Sequence, residues 1–204
     1  TAFSMQLTLQ YDDGTTEIVT TDASWQGTIA PVTFSEIYHG EEYDAALELP
    51  GWADAAAPNA APAGRWHGVE TVTYPAAQLY AQAAGKVSVR NRLPAQRIFT
   101  TPAGETVVDF GQNMAGRVEI TATGGPGDVA ELRCFEELDA DGNAYLANLR
   151  KARTIMRYKF AQPGTVTWHP QFTYMGFRYA LVVQWPGTPR AENFTAYTLH
   201  TAME

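Results

Sequence analysis

The sequence has few of the residues that covalent and metal chemistry most often use. It contains a single cysteine, Cys134, so the chain can form neither an internal disulfide nor a cysteine-based zinc site. Cys134 lies in the alternating stretch VAELRCFEEL, which predicts a small, buried hydrophobic side chain. The four histidines are scattered, and none has the spacing of a zinc motif such as HExxH.

Positive charge is also scarce. Lys and Arg number 14 against 22 Asp and Glu, which gives a net charge of −8 at pH 7. This balance argues against a nucleic-acid partner and favours a neutral or apolar ligand, or a cation. No apolar run approaches the roughly 18–20 residues of a membrane span, and no signal peptide is visible. The chain starts at Thr1 in the approach to a predicted strand, which suggests a piece of a longer protein of unassigned localisation.

Helical periodicity is missing as well. No segment sustains a 3.6-residue apolar period over three turns. Apolar and polar residues instead alternate in many short stretches separated by glycine and proline, which predicts β-strands. Turn signals lie at Asp12-Asp13-Gly14, at GGPGD (124–128) and at DADGN (139–143). The pattern predicts an all-β protein with a jelly-roll-like antiparallel β-sandwich.

The weak point of this pattern is the Ala- and Pro-rich stretch ADAAAPNAAPAG at residues 53–64, which we predict to be a loop. It is a candidate domain boundary, but the residues before it offer only a few strands. We therefore predict a single module over residues 1–204 in which the early strands join the later ones. Two domains are the alternative.

Catalytic motifs are absent too. The sequence contains no GxSxG nucleophile elbow and no phosphate-binding glycine loop. Carboxylates of the kind that glycosidases use cluster in GEEYDAA, with Glu41, Glu42 and Asp44, and in CFEELDADG, with Glu136 and Glu137. We expect such dense clusters on strand ends and turns to be solvated surface. We expect DADGN to be a plain turn rather than a calcium loop.

Aromatic residues, by contrast, are plentiful, with five Trp and ten Tyr. Trp25, Trp52 and Trp66 stand beside turn residues, where exposed rings would form a platform for sugars and buried rings would belong to the core. We expect burial for each of the three. Trp168 and Trp185 lie in strand patterns and are assigned to the core.

The stretch VVDFGQNMAGRVEI is the most unusual in the chain, because two strand-like ends enclose a polar, glycine-containing segment. We expect a corner at which Asp109, Gln112 and Asn113 bring their oxygens and amides together, with Gly111 and Gly116 freeing the backbone. One interpretation is that these side chains cap strand ends and satisfy buried backbone groups. The other is that they line a sugar or cation site.

Six stretches in order along the chain carry a family resemblance. They are LTLQYDDGTTEIVTTDASWQ, SEIYHGEEYDAALELPGW, VVDFGQNMAGRVEI, RCFEELDADGNAYLANLRKARTIMRYKF, WHPQFTYMGFRYALV and LHTAME. Together they resemble bacterial α-L-rhamnosidases of glycoside hydrolase family 78. The resemblance implies that catalysis belongs to an (α/α)6 barrel that follows this region, and that this region is the β-sandwich module ahead of the barrel. In some members that module is a carbohydrate-binding module of family 67 and holds rhamnose through calcium.

The resemblance also implies where a sugar would bind. In sugar-binding members the Asp of a YD motif, followed by Asn, supplies metal and sugar contacts; here Asp44 is retained and Ala45 replaces the Asn. We therefore expect sugar contacts from Asp44, Glu42, Trp66 and Asn113, with Asp44 also a ligand of calcium.

The predicted function is that of a non-catalytic carbohydrate-binding module of a multidomain α-L-rhamnosidase, which binds terminal L-rhamnose of a glycan with calcium as the cofactor. The alternative is a purely structural domain that packs on the catalytic barrel of the same polypeptide. An enzyme in its own right is the third hypothesis. Because successive residues of an extended segment point to opposite sides, Glu42 and Asp44 should share a face that Glu41 does not.

Overall fold

The computed structural model describes residues 2–54, 65–73 and 82–201, and within these ranges it consists mainly of β-strands. The strands in chain order are β1 (Gln6–Gln10), β2 (Thr16–Thr20), β3 (Gln26–Gly27), β4 (Val32–Glu36), β5 (Gly40–Asp44), β6 (His67–Gly68), β7 (Val87–Pro94), β8 (Arg97–Thr100), β9 (Thr106–Gly124), β10 (Val129–Phe135), β11 (Ile155–Lys159), β12 (Gly164–Trp168), β13 (Met175–Gln184) and β14 (Phe194–Thr201). The helical elements in the described ranges are three short 3-10 helices, at Ala45–Leu47, Ala147–Leu149 and Ala191–Asn193. The predicted all-β sandwich is confirmed. No helix in these ranges has the length and apolar character needed to cross a membrane.

The chain groups into two compact units. The first contains Thr1–Ile29 and Leu49–Gln82, and the second contains Ala30–Glu48 and Ala83–Glu204. The single module over residues 1–204 stays a prediction. Most of the predicted Ala- and Pro-rich loop, residues 55–64, lies outside the described residues.

The first unit is built on a hairpin. Strands β1 and β2 pair antiparallel over their full length, and the turn between them carries the Asp-Asp-Gly signal. Asp13 Oδ1 accepts hydrogen bonds from the backbone N and the Oγ1 of Thr15, at 2.9 and 2.6 Å, and these bonds close the turn. The predicted hairpin is therefore confirmed. A second small sheet of this unit pairs β3 with β6.

The second unit contains a ten-stranded sheet. Its hydrogen-bonded order is β4-β5-β11-β10-β13-β9-β14-β7, and β12 and β8 also pair with β9. Strand β9 is 19 residues long and pairs with four strands along its length. Through the pairing of β5 with β11, strands from the early part of the chain join later ones, as the sequence predicted for this part.

One pairing departs from the antiparallel pattern that we predicted. Strands β5 and β11 run parallel, with Gly40 opposite Ile155 and Asp44 opposite Lys159. A Cβ on Gly40 would lie 1.8 Å from the carbonyl oxygen of Ile155, and Gly40 itself has a φ of +101°. Only glycine tolerates both conditions. Parallel neighbours need a long connection, and short turn signals in a sequence cannot reveal such a pair.

The core of the second unit lies along β9, β10 and β13. The buried rings of Phe110 and Phe177 meet edge to face with their centroids 5.6 Å apart. Burial of each such ring stabilises the fold by about 1.5–3 kcal/mol. Cys134 is fully buried, as predicted, and burial raises the pKa of its thiol. Trp168 lies in this core and Trp185 packs against it, as expected for both.

Candidate functional site

Strand β5 carries three acidic side chains and directs them to two faces. Glu42 Oε1 lies 2.8 Å from Arg153 Nη2, and Asp44 Oδ2 lies 2.9 Å from Lys159 Nζ; both carboxylates are half-buried. Glu41, which directly precedes Glu42, has no exposed surface. The prediction that Glu42 and Asp44 share a face that Glu41 does not is confirmed.

Both oxygens of Asp44 already have partners. Oδ2 accepts a hydrogen bond from Lys159, and Oδ1 accepts one at 3.0 Å from the backbone N of Ala46, which caps the 3-10 helix Ala45–Leu47. The hydrogen bond from Lys159 is the main reason why the pKa of Asp44 lies below its ordinary value. Asp44 is thus an ionised carboxylate with a cation beside it.

This arrangement bears on the expected calcium ion. Calcium takes about 6–8 oxygen ligands, most of them carboxylates or carbonyls. In the described ranges no group of three His, Cys, Asp or Glu side chains gathers closely enough to hold a metal ion. The described surroundings of Asp44 therefore do not fit a calcium site built by this chain, and calcium binding stays a prediction.

Glu41 contradicts the expectation that this acidic cluster is solvated surface. Its buried carboxylate accepts hydrogen bonds from the backbone N of Gln171 and of Phe172, both at 2.8 Å, and from Ser35 Oγ at 3.2 Å. These donors provide the compensation that a buried carboxylate needs. Glu41 thereby fastens the loop between β12 and β13 to the strands β4 and β5.

A cation holds the same loop. Arg117 Nη1 donates hydrogen bonds to the carbonyl oxygens of Pro170 and Gln171, at 2.7 and 3.3 Å. Burial, the largest influence, lowers the pKa of Arg117, and the nearby charge of Glu41 opposes that shift. The base of the loop is therefore fixed by one acidic and one basic side chain.

The outer part of this loop leaves large apolar side chains in solvent. Phe172 is 76% exposed and Tyr174 is 46% exposed, and the neighbouring β4–β5 turn exposes Ile37 and Tyr38. A hydrogen bond of 3.4 Å from Thr173 Oγ1 to the last carbonyl of β4 joins the loop to this turn. We call Ile37, Tyr38, Phe172 and Tyr174 the aromatic rim. The rim was not predictable from the sequence, because a run of aromatic residues does not by itself indicate which of them are exposed.

The motif DFGQNMAG is not a corner between strands, as we expected, but part of the continuous strand β9. The strand bulges here. Asp109 and Met114 are five positions apart in β9, while their partners Tyr179 and Phe177 are two positions apart in β13. Gly111 has a φ of +85°, which allows the chain to turn out of the sheet and back. Glycines and polar residues are as suitable for a bulge as for a turn, and this explains the wrong prediction.

Asp109 lies at the start of the bulge and is 3% exposed. Its Oδ1 accepts hydrogen bonds from Arg178 Nε at 3.0 Å and from the backbone N of Gly111 at 2.8 Å, and its Oδ2 lies 3.1 Å from Arg97 Nη2. Burial alone would raise the pKa of Asp109, but the hydrogen bonds from Arg178, Gly111 and Arg97 outweigh it and the pKa is lowered. The bond from Gly111 agrees with the interpretation that Asp109 satisfies backbone groups, whereas the two arginines are partners that this interpretation did not include.

Asn113 behaves differently from Asp109. It is exposed, and its Nδ2 donates to Glu136 Oε1 at 3.0 Å, so it satisfies a side chain rather than the buried backbone group that we expected. Gln112 is exposed as well. Three strands separate β9 from β5 in the sheet order, so the sheet does not place Asn113 beside Asp44.

The three tryptophans beside turns are less buried than we expected. Trp52 is 67% exposed, so the prediction of burial is wrong for this residue. Trp25 and Trp66 are half-buried. Trp66 belongs to the first unit and Asp44 to the second.

The DADGN stretch is a plain turn, as predicted. Asp139 Oδ1 accepts hydrogen bonds from the backbone N of Asp141 and of Asn143, at 3.0 and 2.8 Å. The carboxylate thus organises its own turn.

Two family patterns match this chain. The alpha-L-rhamnosidase N-terminal domain matches residues 1–91, and the bacterial alpha-L-rhamnosidase concanavalin-like domain matches residues 99–200. Among curated proteins, an alpha-L-rhamnosidase of Streptomyces avermitilis is 35% identical over 202 residues, which cover 98% of this chain and 19% of that protein. An alpha-L-rhamnosidase of Formosa agariphila is 31% identical over 85% of this chain and 18% of its own length.

Solved structures give the same result. The structure of the Streptomyces avermitilis alpha-L-rhamnosidase complexed with L-rhamnose superposes with a TM-score of 0.84 at 35% identity, over 97% of this chain and 19% of that one. The alpha-L-rhamnosidase of Aspergillus terreus superposes with a TM-score of 0.88 at 31% identity, over 98% of this chain and 23% of that one. This chain thus spans less than a quarter of the length of these relatives. With both family patterns matched in order along its length, the chain belongs to the bacterial α-L-rhamnosidase family.

Proposed function

We propose that this chain is a non-catalytic accessory region of an α-L-rhamnosidase. The observation that carries the proposal is that several of its acidic side chains already bind other groups of the chain. Glycoside hydrolysis needs two carboxylates facing one bond, roughly 5–10 Å apart. Here Glu41 fastens a loop, Asp109 binds two arginines, and Asp44 pairs with a lysine. The small share of the relatives' length that the chain covers also supports the proposal.

We propose further that the half-exposed face of β5 holds terminal L-rhamnose, with Glu42 and Asp44 accepting hydrogen bonds from sugar hydroxyls. The family resemblance of the GEEYDAA stretch supports this assignment. Exposed ion pairs contribute only about 0–1 kcal/mol, so hydroxyl groups can share these carboxylates with Arg153 and Lys159 at little cost. A monosaccharide in so shallow a site makes few contacts, and we expect a Kd of about 0.1–10 mM.

Calorimetric titration of the chain with L-rhamnose tests this site, with calcium and with chelator. We expect weak binding that Asp44→Ala abolishes and that Ala45→Asn strengthens, because an amide at position 45 adds a donor and an acceptor. Because no three His, Cys, Asp or Glu side chains gather around Asp44 in the described ranges, we expect chelator to change the affinity little. Binding that survives Asp44→Ala would contradict this location.

A structural role is the second candidate, and the aromatic rim favours it. Phe172 and Tyr174 are held in solvent on a loop that Glu41 and Arg117 fix at its base, and Ile37 and Tyr38 are exposed on the β4–β5 turn to which Thr173 joins that loop. Such a rigid apolar surface suits contact with another part of a rhamnosidase polypeptide, such as the helical barrel that the family resemblance implies. Failure of every variant to bind rhamnose would favour this candidate.

A further inference from the structure

A cavity of about 760 Å³ lies in the first unit, and its described lining includes none of the residues of β5 considered above as sugar ligands. Its lining comes from the segment before β1, from the segment between β2 and β3, and from the segment after β6. Its volume falls within the roughly 300–1,000 Å³ of typical small-molecule sites. All the described lining residues belong to the first unit.

Trp25 forms a fixed aromatic wall of the cavity. The indole Nε1 donates a hydrogen bond to the carbonyl oxygen of Thr20 at 3.2 Å. The backbone N of Trp25 donates to the carbonyl oxygen of Asp22, also at 3.2 Å. Its own carbonyl oxygen accepts a hydrogen bond from Val69 at 3.3 Å. One hydrogen bond therefore holds the half-buried indole, and two more hold the backbone that carries it. Phe3, which is 74% exposed, adds a second ring to the lining.

The polar part of the lining consists mainly of acceptors. Asp22 Oδ1 accepts from the backbone N and the Oγ of Ser24, at 2.8 and 2.6 Å, and these bonds lower the pKa of Asp22. Among the described residues, Asp22 Oδ2 and the carboxylate of Glu70 have no hydrogen-bond partner. Thr21 and Thr71 add hydroxyl groups. The described lining contains no Lys, Arg or His.

We propose that this cavity is a second binding site, which takes a neutral saccharide. A sugar stacks its C–H face on an aromatic ring, and its hydroxyls donate to carboxylate oxygens. The described lining carries two carboxylates and no cationic side chain, so its charge repels an acidic sugar and selects against uronic acids. The indole of Trp25 carries the stacking, and Asp22 and Glu70 select a ligand with several hydroxyl donors. The site shares no described residue with the rhamnose site proposed on β5, and the proposal does not depend on that site.

The 204-residue chain is titrated calorimetrically with methyl α-L-rhamnoside, methyl β-D-galactoside, D-galacturonate and tetramethylammonium chloride. We expect at least one neutral glycoside to bind with a Kd of about 0.1–10 mM, and galacturonate to bind at least about tenfold more weakly. Trp25→Ala should weaken the neutral ligand at least about tenfold, and Glu70→Gln should weaken it about threefold. Trp25→Phe, which keeps a ring, should retain most of the affinity.

Trp52→Ala is the matched control, because Trp52 is an exposed indole of the same unit that does not line the cavity. This variant should bind as the wild type does. Glu70→Gln keeps the test valid if Trp25→Ala fails to fold, since Glu70 is an exposed side chain.

Three outcomes would overturn the second site. They are no binding of either glycoside, binding unchanged by both Trp25→Ala and Glu70→Gln, and binding of tetramethylammonium or galacturonate in preference to both glycosides. Loss of glycoside binding in Asp44→Ala alone would overturn the cavity and leave the proposed function intact. Loss of glycoside binding in the Trp25 and Glu70 variants alone would support the cavity and contradict the rhamnose site on β5.

Discussion

Three acidic residues of β5 illustrate what a single side chain can contribute. Glu41 is buried and fixes a loop, whereas Glu42 and Asp44 pair with cations on the opposite face. The period-two alternation of a strand predicted which of them share a face. It could not predict the partners, because Lys159 is 115 residues from Asp44 and Gln171 is 130 residues from Glu41. Pairing at such separations is decided by the sheet, not by the local sequence.

At the scale of a single residue, we predict that the contribution of Asp109 to stability depends on pH. Asp109→Asn should lower the free energy of unfolding by about 1–3 kcal/mol at pH 7, because Arg97, Arg178 and Gly111 lose a charged acceptor. The pKa of Asp109 is lower in the folded chain, so its contribution is complete above the unfolded value of about 3.9. The contribution is lost as the pH falls through the folded pKa. Urea unfolding at several pH values should therefore show the difference from wild type shrinking in acid.

Asp141→Asn is the control for this measurement, because Asp141 is exposed in a turn. It should change the free energy of unfolding by less than about 0.5 kcal/mol. If both variants lost the same free energy of unfolding, the contacts of Asp109 with Arg97 and Arg178 would not contribute to stability.

Among the elements, the strands with regular alternation were predictable and the irregular ones were not. The β1–β2 hairpin follows from its Asp-Asp-Gly turn and the alternating runs beside it. The bulge of β9 and the parallel pairing of β5 were not predictable from local patterns. A bulge uses the same glycine and polar residues as a turn, and a parallel pair has no turn between its strands.

The parallel pairing gives a prediction for Gly40. Gly40→Ala places a Cβ 1.8 Å from the carbonyl oxygen of Ile155 at a φ of +101°, so β5 and β11 must move apart. Gly104→Ala is the matched control, because Gly104 has a φ of +84° with open space around its Cβ position. We expect Gly104→Ala to cost about 1–2 kcal/mol for its backbone conformation alone.

Gly40→Ala should cost about 1–3 kcal/mol more than that control, because of the added backbone clash. Denaturant unfolding curves of the two variants provide the comparison. Equal midpoints for both would show that the close approach of β5 and β11 does not constrain the fold.

For the whole molecule, the motifs and their order along the chain indicated the family, whereas composition only excluded some kinds of site and partner. Composition excluded a disulfide and argued against nucleic acid, but the motifs DFGQNMAG and FTYMGFRY carried the family assignment. The division into two units was not evident, since strands β4 and β5 belong to the second unit while residues on both sides of them belong to the first. The cavity of the first unit was also missed, because Trp25 and Glu70 are far apart in sequence.

At this largest scale we predict that the chain folds but does not hydrolyse an aryl α-L-rhamnoside. The reason is that Asp44 and Asp109 are engaged in ion pairs, Glu41 holds a loop and Asp139 organises its own turn. Release of the chromogenic aryl group measures turnover. Activity that persists through purification and disappears in variants of Glu41, Glu42, Glu136 or Glu137 would contradict the prediction.

The parallel contact of β5 with β11 also sets an order of events during synthesis. Asp44 must wait for Lys159, which follows it by 115 residues. At the usual 5–20 residues per second, β5 spends about 6–23 s outside the ribosome before its partner exists. During that interval β4 is available on one side of β5, but the side that later pairs with β11 is open, and Glu41, Glu42 and Asp44 give the segment GEEYD three negative charges. Such charges oppose aggregation through an open strand edge, so the acids that later fasten a loop and bind cations also protect the nascent chain.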